Sequence, residues 1–265
     1  MFAQKYGPWA LIVGGSEGVG VSFAHKLAAK GINLVLAARK GEALSAVAKD
    51  VRAAAKVDVR TVAVDMTASD ALEKVLEATN GLDIGLLIYN AGGGARFGGF
   101  VDLDIDAVIQ PIQLNPIGQT KFTHHFGAKL KKRGRGGILL VGSNAATAPI
   151  GGLVAYCAAK AFTQALGEGL WYELKPYGVD VLTLILGPTK TPALRRLGVP
   201  VDSPAFSGAD PDDVAEEGLQ HLADGPIRIV ANSIAYVEQF RGLSRGEAVT
   251  RASENLAKMS SGHSD

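Results

Sequence analysis

The sequence predicts a protein of the α/β class. Short apolar runs of about four to eight residues recur along the chain, separated by longer stretches with helical spacing. One run, residues 32–38, is continuously apolar, as strands of a parallel sheet covered on both faces tend to be. Another run, residues 9–13, leads through a glycine-rich turn into a helical pattern at 21–30, which indicates a strand, a turn and a helix.

Composition favours one domain spanning residues 1–265. A chain of this length with 47% hydrophobic residues can bury a full core within the size range of a single α/β domain. The 27 basic and 26 acidic residues leave a net charge of +1. This balance argues against nucleic acid, an anionic membrane or a strongly charged partner.

The chain also carries signals about its compartment. Cys157 is the single cysteine, so no internal disulfide can form, and a reducing compartment is expected. Residues 1–8 lack the pattern of a signal peptide, and no run of about 18 apolar residues occurs. We therefore expect a soluble, cytoplasmic protein. No metal is expected either, because the adjacent His124 and His125 point in different directions on a helix and lack neighbouring ligands.

The glycine-rich turn after residue 13 has the properties of a phosphate-binding loop. Gly14 permits a tight turn, Gly18 allows a pyrophosphate to approach the backbone, and Gly20 lets the following helix pack close to the strand. The candidate cofactor contacts in this turn are Gly14, Ser16, Glu17, Gly18, Val19 and Gly20.

The end of the second strand predicts the type of nucleotide. Arg39 and Lys40 follow residues 32–38, and no acidic residue stands there. In a dinucleotide-binding fold this position meets the adenosine ribose, where an acid binds a 2′-hydroxyl and a base can bind a 2′-phosphate. The alternative is that the two cations simply lie on the surface.

The next elements alternate between helix and strand. A helix is predicted at 42–55 and strands at 57–64 and 82–89. Asp65 and Met66 follow the first of these strands, where Asp65 either contacts a cofactor or caps the next helix. Residues 93–113 are glycine-rich and then mixed, and we expect them to form a rim of the substrate cleft.

Tyr156 and Lys160 are the centre of the predicted chemistry. Residues four apart on a helix share a face, so the phenol and the ammonium are expected to be neighbours. A nearby cation favours the phenolate and lowers the tyrosine pKa, which would make Tyr156 a general acid/base. Ser143 follows the apolar run at 138–141, so its hydroxyl is expected at the carboxyl end of a strand beside that helix.

The last third of the chain predicts a strand, a cover and further helices. The helix of Tyr156 is expected to run to residue 174, and a strand follows at 179–186. Residues 192–208 contain three prolines and suggest a cover over the substrate. A helix is expected to begin at Pro211. Residues 244–259 predict a polar-faced helix that either shields the pocket or joins subunits.

Taken together, these motifs resemble the short-chain dehydrogenase/reductase family. The glycine spacing G-x-x-x-G-x-G, the Asn90-Ala91-Gly92 segment and the Tyr156-x-x-x-Lys160 pair all fit the family pattern. Four positions depart from it: Val13 replaces the usual Thr, Tyr89 replaces the first Asn, Leu186 replaces a Pro, and Thr189 replaces a Val. The resemblance spans about residues 9–191, with a weaker likeness to the branch of long-chain 3-ketoacyl-CoA and hydroxysteroid reductases.

The resemblance implies a fold, a reaction and a cofactor. The fold would be Rossmann-like, a doubly wound and mostly parallel sheet of about seven strands with helices on both faces. The reaction would interconvert a ketone and a secondary alcohol, with NADP(H) preferred and NAD(H) possible. The family also implies a homo-oligomer, a dimer or tetramer formed through the helices around 115–133 and 154–175. The substrate would be small and hydrophobic.

The resemblance also assigns roles to individual residues. Tyr156 would transfer the proton, Ser143 would hold the substrate oxygen, and Lys160 would lower the Tyr156 pKa and bind the nicotinamide ribose. Asn115 would support a water-borne proton relay, although Pro116 beside it either enforces or disrupts the required distortion. Further cofactor contacts would come from Asp65, Met66, Asn90, Ala91, Gly92, Thr189 and Thr191.

Two other classes of protein remain as alternatives. One is a nucleotide-sensing binding protein that keeps the fold without turnover, since a fold alone does not establish catalysis. The other is a dehydratase or epimerase on a related fold. The set of Ser143, Tyr156 and Lys160 argues against the first, and the glycine spacing argues against the second.

Overall fold

The computed structural model describes residues 2–93, 95–204 and 206–261. Gly94 and Ala205, which belong to the predicted rim and cover, lie outside the described residues, as do both ends of the 1–265 span. Within the described residues the strands form one seven-stranded sheet, parallel throughout, in the order β3-β2-β1-β4-β5-β6-β7. The strands are Trp9–Val13 (β1), Asn33–Ala38 (β2), Val59–Ala63 (β3), Ile84–Tyr89 (β4), Gly136–Val141 (β5), Val179–Ile185 (β6) and Ile227–Ile229 (β7).

Helices connect successive strands and cover the sheet. A π-helical segment, Gln113–Ile117, joins α5 directly to α6. The helices are Phe2–Tyr6 (α1), Val19–Ala29 (α2), Gly41–Ala54 (α3), Ala71–Thr79 (α4), Ile105–Ile112 (α5), Gly118–Arg133 (α6), Val154–Leu174 (α7), Pro192–Arg196 (α8), Pro211–Gln220 (α9), Ile234–Glu238 (α10) and Arg245–Ser261 (α11).

The two faces of the sheet carry separate hydrophobic clusters, which explains why a central strand such as β1 is apolar at every position. Along β1, Ala10 and Ile12 belong to the cluster under α2, α3 and α9. Leu11 and Val13 belong to the cluster on the opposite face, with residues of α4 and α6. Since successive side chains of a strand point to opposite faces, both sets must be apolar when both faces are covered.

The order of the strands creates a crevice at the carboxyl edge of the sheet. β1 pairs with β2 on one side and with β4 on the other, and Val13 is in register with both Ala37 and Tyr89. The chain therefore reverses its direction of progress across the sheet at β1. In open α/β sheets, ligands bind in the crevice outside the strand ends at such a point.

A third hydrophobic cluster lies beyond the sheet, under α11. It joins Ala145, Ala148 and Cys157 to Ala248 and Ala252 of α11. Ser253 accepts a hydrogen bond from the Gly151 N–H at 2.9 Å, and the Arg245 guanidinium donates to the Thr147 carbonyl at 3.1 Å. The helix therefore covers the segment that leads to Tyr156.

The predicted fold class is confirmed, and the predicted elements agree with the structure to within about three residues at their ends. Several short elements have no counterpart in the sequence analysis, among them α1, α10 and the edge strand β7. β7 has three residues, all of them only half-buried, so it gives little apolar signal. Among the described helices, none combines the length and apolar character needed to cross a membrane.

Candidate active site

Four polar side chains come together at the carboxyl ends of β4 and β5, those of Asn115, Ser143, Tyr156 and Lys160. Lys160 is 3% exposed and donates from Nζ to the Val141 carbonyl at 3.0 Å. Asn115 is fully buried. A Cβ added at Gly92 would lie 2.5 Å from Lys160 Nζ and 2.6 Å from Asn115 Oδ1, so both atoms converge on this glycine. The absence of a side chain at Gly92 is what allows the two groups to approach.

The π-helical segment accounts for the orientation of Asn115. Its Nδ2 donates to the Pro111 carbonyl at 3.0 Å, while Oδ1 is buried without a partner among the described residues. In this segment the Gly118 N–H donates to Gln113 O, one residue further back than in an α-helix. Pro116 therefore coincides with the distortion and does not displace Asn115 from Lys160.

Tyr89 stabilises the same distortion. The shift in hydrogen bonding at Gly118 frees the Leu114 carbonyl from the partner that an α-helix would give it. The Tyr89 hydroxyl donates to this carbonyl at 2.7 Å, and the side chain is fully buried. The replacement of the usual family Asn by Tyr89 thus supplies a hydrogen-bond donor to the π-helical segment.

Tyr156 and Ser143 face each other at the mouth of the crevice. Ser143 is buried just after β5, and its hydroxyl oxygen accepts from the Ala145 N–H at 3.2 Å. Burial raises the pKa of the Tyr156 phenol, and a hydrogen bond with the Ser143 side chain opposes that rise by lowering the pKa. The phenol is therefore neutral at neutral pH and can donate a proton.

This direction corrects one expectation from the sequence. The i, i+4 spacing predicts that Lys160 lowers the Tyr156 pKa, and the two groups are indeed close, with Nζ 5.8 Å from the ring centroid. Burial nevertheless raises the Tyr156 pKa, and the opposing effect comes from the Ser143 hydrogen bond. Lys160 is itself desolvated, which lowers its own pKa to about 8.

The glycine turn packs tightly against β4 and against the loop before α8. Gly14 has a φ of 90°, and a Cβ there would lie 2.6 Å from the Ala91 backbone nitrogen. Gly18 has a φ of 55°, and a Cβ there would lie 2.9 Å from Thr191 Cγ2. Asn90 donates from Nδ2 to the Gly14 carbonyl at 2.8 Å, which ties the turn to the end of β4.

The residue at the amino end of α2 is Gly18, which has no side chain to cap the helix that begins in this turn. Its backbone N–H groups and the helix dipole therefore face the crevice, an arrangement suited to phosphate. Val19 is buried at the first position of the helix, and Ser16 is half-buried in the turn.

A cluster of charges surrounds the turn. Arg39 and Lys40 are exposed at the end of β2 and lie close enough to Glu17 to lower its pKa by their charge. The largest lowering comes from Arg196 of α8, whose guanidinium forms two hydrogen bonds with the Glu17 carboxylate, one of them at 2.9 Å. Sequence reasoning missed Arg196, because 179 residues separate it from its partner.

The remaining predicted cofactor residues occupy the same edge of the sheet but have local hydrogen bonds. Asp65 accepts from the N–H and the hydroxyl of Thr67, both at 2.9 Å, so it stabilises its own turn. Met66 is buried in the core. Thr189 donates to the Gly187 carbonyl, and Thr191 caps α8 by accepting from the Leu194 N–H.

A pocket opens beside Tyr156, between the 96–111 rim and the start of α7. Its cavity volume is about 10 Å³, and the side chains that line it are mostly apolar. Its lining residues include Phe100, Leu103, Val108 and Leu153, together with the cation Arg96. The expected position of the rim therefore agrees with the structure. Across the described part of the chain, no group of three or more His, Cys, Asp or Glu side chains is arranged to hold a metal ion.

Comparison with known proteins identifies the family. The family model for short chain dehydrogenases matches residues 8–199. The chain belongs to the short-chain dehydrogenase family. This short-chain dehydrogenase is therefore an oxidoreductase with a nucleotide-binding Rossmann-like fold, in agreement with the resemblance seen in its motifs.

Individual relatives of this short-chain dehydrogenase support the suspected branch. The chain is 32% identical over 222 residues to the 7beta-hydroxysteroid dehydrogenase of Clostridium sardiniense, covering 83% of this chain and 84% of the relative. It is 34% identical over 206 residues to the very-long-chain 3-oxoacyl-CoA reductase of Podospora anserina, covering 76% and 61%. A solved short-chain dehydrogenase from Sphingobium yanoikuyae in complex with NADPH is 31% identical, with a TM-score of 0.79 and coverage of 88% and 91%.

Proposed function

We propose that this short-chain dehydrogenase interconverts a hydrophobic ketone and its secondary alcohol by using a nicotinamide cofactor, with Tyr156 as the general acid/base. The observation that carries the proposal is the convergence of Ser143, Tyr156, Lys160 and Asn115 beside the glycine turn. A nucleotide-binding turn and a proton-transferring group at one crevice are the two components that carbonyl reduction requires.

Each side chain has a role that follows from its surroundings. Tyr156, kept neutral by burial, donates its proton to the carbonyl oxygen during reduction. Ser143 donates a hydrogen bond to that oxygen and holds it near the phenol. Lys160 Nζ returns a proton to Tyr156 through a water relay, and Asn115 Oδ1, which meets Nζ at Gly92, accepts a hydrogen bond from that water. A bound nicotinamide cofactor supplies or accepts the hydride.

The residues of the crevice fit such a cofactor. The uncapped start of α2 and the close packing at Gly18 leave backbone N–H groups available to a pyrophosphate. Arg39 and Lys40 stand where a 2′-phosphate would lie, and Arg196 neutralises Glu17, the nearby carboxylate that would repel it. These charges favour NADP(H) over NAD(H), with NAD(H) still able to bind. The NADPH-bound relative is consistent with this preference.

We also propose the remaining properties expected from the sequence. Residues 1–265 form a single domain, and the protein acts in the cytoplasm as a homo-oligomer. The mostly apolar pocket beside Tyr156 supports a hydrophobic substrate. The two relatives whose names specify steroid and long-chain acyl substrates are consistent with an apolar substrate.

Replacement of the Tyr156 hydroxyl tests the proposed function. Tyr156→Phe removes the proton-transferring group, so turnover of hydrophobic ketones with NADPH is expected to fall at least about 10²-fold. NADPH affinity, followed by the change in its fluorescence on titration, is expected to stay nearly constant. Consumption of NADPH at 340 nm across a ketone panel provides the rate.

Tyr172→Phe is the matched control for this experiment. Tyr172 lies on the same helix, α7, but is 76% exposed, so loss of its hydroxyl is expected to leave turnover unchanged. Near-normal turnover by Tyr156→Phe would refute the role of Tyr156. A wild-type protein that binds NADPH but reduces no ketone would favour a nucleotide-sensing function.

A further inference from the structure

Arg96 is the one charged side chain in the described wall of the pocket beside Tyr156. The neighbouring Ala95 is buried in the cluster under α11, so the backbone leading to Arg96 is anchored. The same pocket is lined by the apolar side chains of Phe100, Leu103 and Val108. An apolar pocket with one polar group at its edge binds an apolar molecule and fixes its orientation through that group.

The Arg96 side chain is exposed, and nothing in the described part of the chain engages its guanidinium. Among residues 2–93, 95–204 and 206–261, no hydrogen bond or ion pair to its side chain is found. Arg195 and Arg196, by contrast, are each paired with a carboxylate. A guanidinium left without an anionic partner at the edge of a pocket remains available to a ligand.

The acidic residues of the rim do not compete for this position. Asp102, Asp104 and Asp106 are all exposed, and none of them lines the pocket. The Asp102 carboxylate lies against Gly99. The charge that a ligand meets inside the pocket is therefore positive, even though the outer rim is acidic.

We propose that Arg96 binds a carboxylate on the substrate, and that the preferred substrate is an apolar ketone or alcohol carrying a carboxylate away from the reacting carbon. The proposal rests on the proposed function, because it places the carboxylate on the molecule whose oxygen meets Tyr156. The planar guanidinium can form two parallel hydrogen bonds with a carboxylate, which fixes orientation as well as adding affinity.

Matched pairs of ketones test this assignment. Each pair consists of an ω-aryl-ω-oxoalkanoate and its primary amide, which have nearly the same shape but differ in charge. At saturating NADPH, wild-type kcat/KM is expected to be at least about tenfold higher for the carboxylate, the effect of one charge-assisted hydrogen bond. Varying the chain between ketone and carboxylate is expected to give one optimal length.

Two variants assign the preference to Arg96. Arg96→Gln is expected to lower the ratio of kcat/KM for the carboxylate over the amide from at least about tenfold to about one. Arg135→Gln removes the same charge from an exposed site just before β5, at the opposite edge of the sheet, and is expected to keep the preference. Equal rates for both ketones in wild type, or a preference that persists in Arg96→Gln, would overturn the proposal.

A binding measurement separates this proposal from the proposed function. An ω-arylalkanoate lacks the ketone and cannot be reduced, so its affinity does not depend on turnover. Calorimetry with the NADP⁺-loaded protein is expected to show binding that weakens at least about tenfold in Arg96→Gln. This result would support the carboxylate site even if no ketone were reduced. Equal affinity in the two proteins, or no binding by wild type, would refute it.

Discussion

The Ser143 hydroxyl acts on the proton affinity of Tyr156 as well as on the substrate. Its hydrogen bond lowers the pKa of the phenol against the upward effect of burial. Loss of this hydrogen bond in Ser143→Ala is therefore expected to raise the Tyr156 pKa further. Alcohol oxidation needs the phenolate as base, so its rate increases with pH. In the variant, the pH range over which the rate rises is expected to shift upward.

The measurement is the pH profile of kcat for oxidation by wild type and Ser143→Ala. The variant is also expected to lose about 10²-fold in rate through the missing contact with the substrate oxygen. Ser143→Thr, which retains a hydroxyl, is expected to keep the wild-type position of the profile. An unshifted profile in Ser143→Ala would mean that Ser143 does not influence the Tyr156 proton.

Cofactor preference depends on a balance of charges around Glu17. With Arg196 paired to Glu17, the wild type is expected to bind NADPH more tightly than NADH by roughly 1.5–3 kcal/mol. Arg39→Ala is expected to reduce this difference by removing a direct partner of the 2′-phosphate. Arg196→Gln is expected to reduce it too, because the unpaired Glu17 carboxylate then repels the phosphate.

A double-mutant cycle isolates the effect of the Glu17–Arg196 pair on this preference. Glu17→Gln combined with Arg196→Gln removes both charges, so NADPH affinity is expected to recover relative to Arg196→Gln alone. Dissociation constants for both cofactors come from fluorescence titration and need no turnover. Equal or tighter NADH binding by wild type, or an unchanged preference in Arg39→Ala, would refute the assignment of the phosphate site.

At the scale of elements, α11 stabilises the segment that leads to Tyr156. Ser253 binds the Gly151 N–H, so Ser253→Ala leaves that donor without its protein partner. We expect a loss of about 1 kcal/mol in the free energy of unfolding and a fall in kcat of a few fold, with cofactor affinity unchanged. Chemical denaturation and steady-state kinetics measure the two effects.

Thr250→Ala is the control for this helix. Thr250 is exposed on α11, so its replacement is expected to change neither stability nor kcat beyond the usual scatter of surface substitutions. If Ser253→Ala lowered stability but left kcat unchanged, α11 would be a structural cover without influence on Tyr156.

The sequence predicts elements well where one pattern decides the structure. The strands β1 and β4 contain no charged side chain and are buried almost throughout, and the glycines after β1 fix the turn. The sequence predicts contacts less well where the two partners are far apart along the chain. The ion pair of Glu17 and Arg196 and the bond between Tyr89 and Leu114 depend on how elements pack.

The chemistry of Tyr156 shows the same limit. The i, i+4 spacing gives the proximity of Lys160 correctly, because helix geometry is local. The direction of the Tyr156 pKa shift depends on how much water the folded protein removes. Spacing carries no information about that burial, so the sequence predicted the wrong direction.

For the whole molecule, we expect an oligomer formed through α6 and α7. Ile117 at the start of this region is 51% exposed, and Val154 and Tyr172 of α7 are 45% and 76% exposed. Light scattering at micromolar concentration is expected to give a mass that is a multiple of 27.5 kDa. A mass of one chain alone would contradict this expectation.

A surface variant tests which face associates. Tyr172→Asp places a charge on the expected interface and should shift the protein toward smaller species, because an unpaired buried charge destabilises an interface. Val101→Asp introduces the same charge at an 89% exposed position outside these helices and should leave the mass unchanged.

The strand order β3-β2-β1-β4-β5-β6-β7 also bears on how the chain is synthesised. As the polypeptide leaves the ribosome, β2 can join one side of β1 and β3 can join β2. Later strands extend the other side, β4 against β1 and then β5, β6 and β7 in turn. Each new strand meets an open edge, and none must insert between two strands that are already paired. The sheet can therefore grow in step with translation. The edge of β1 that pairs with β4 stays unpaired only until residue 89 has emerged.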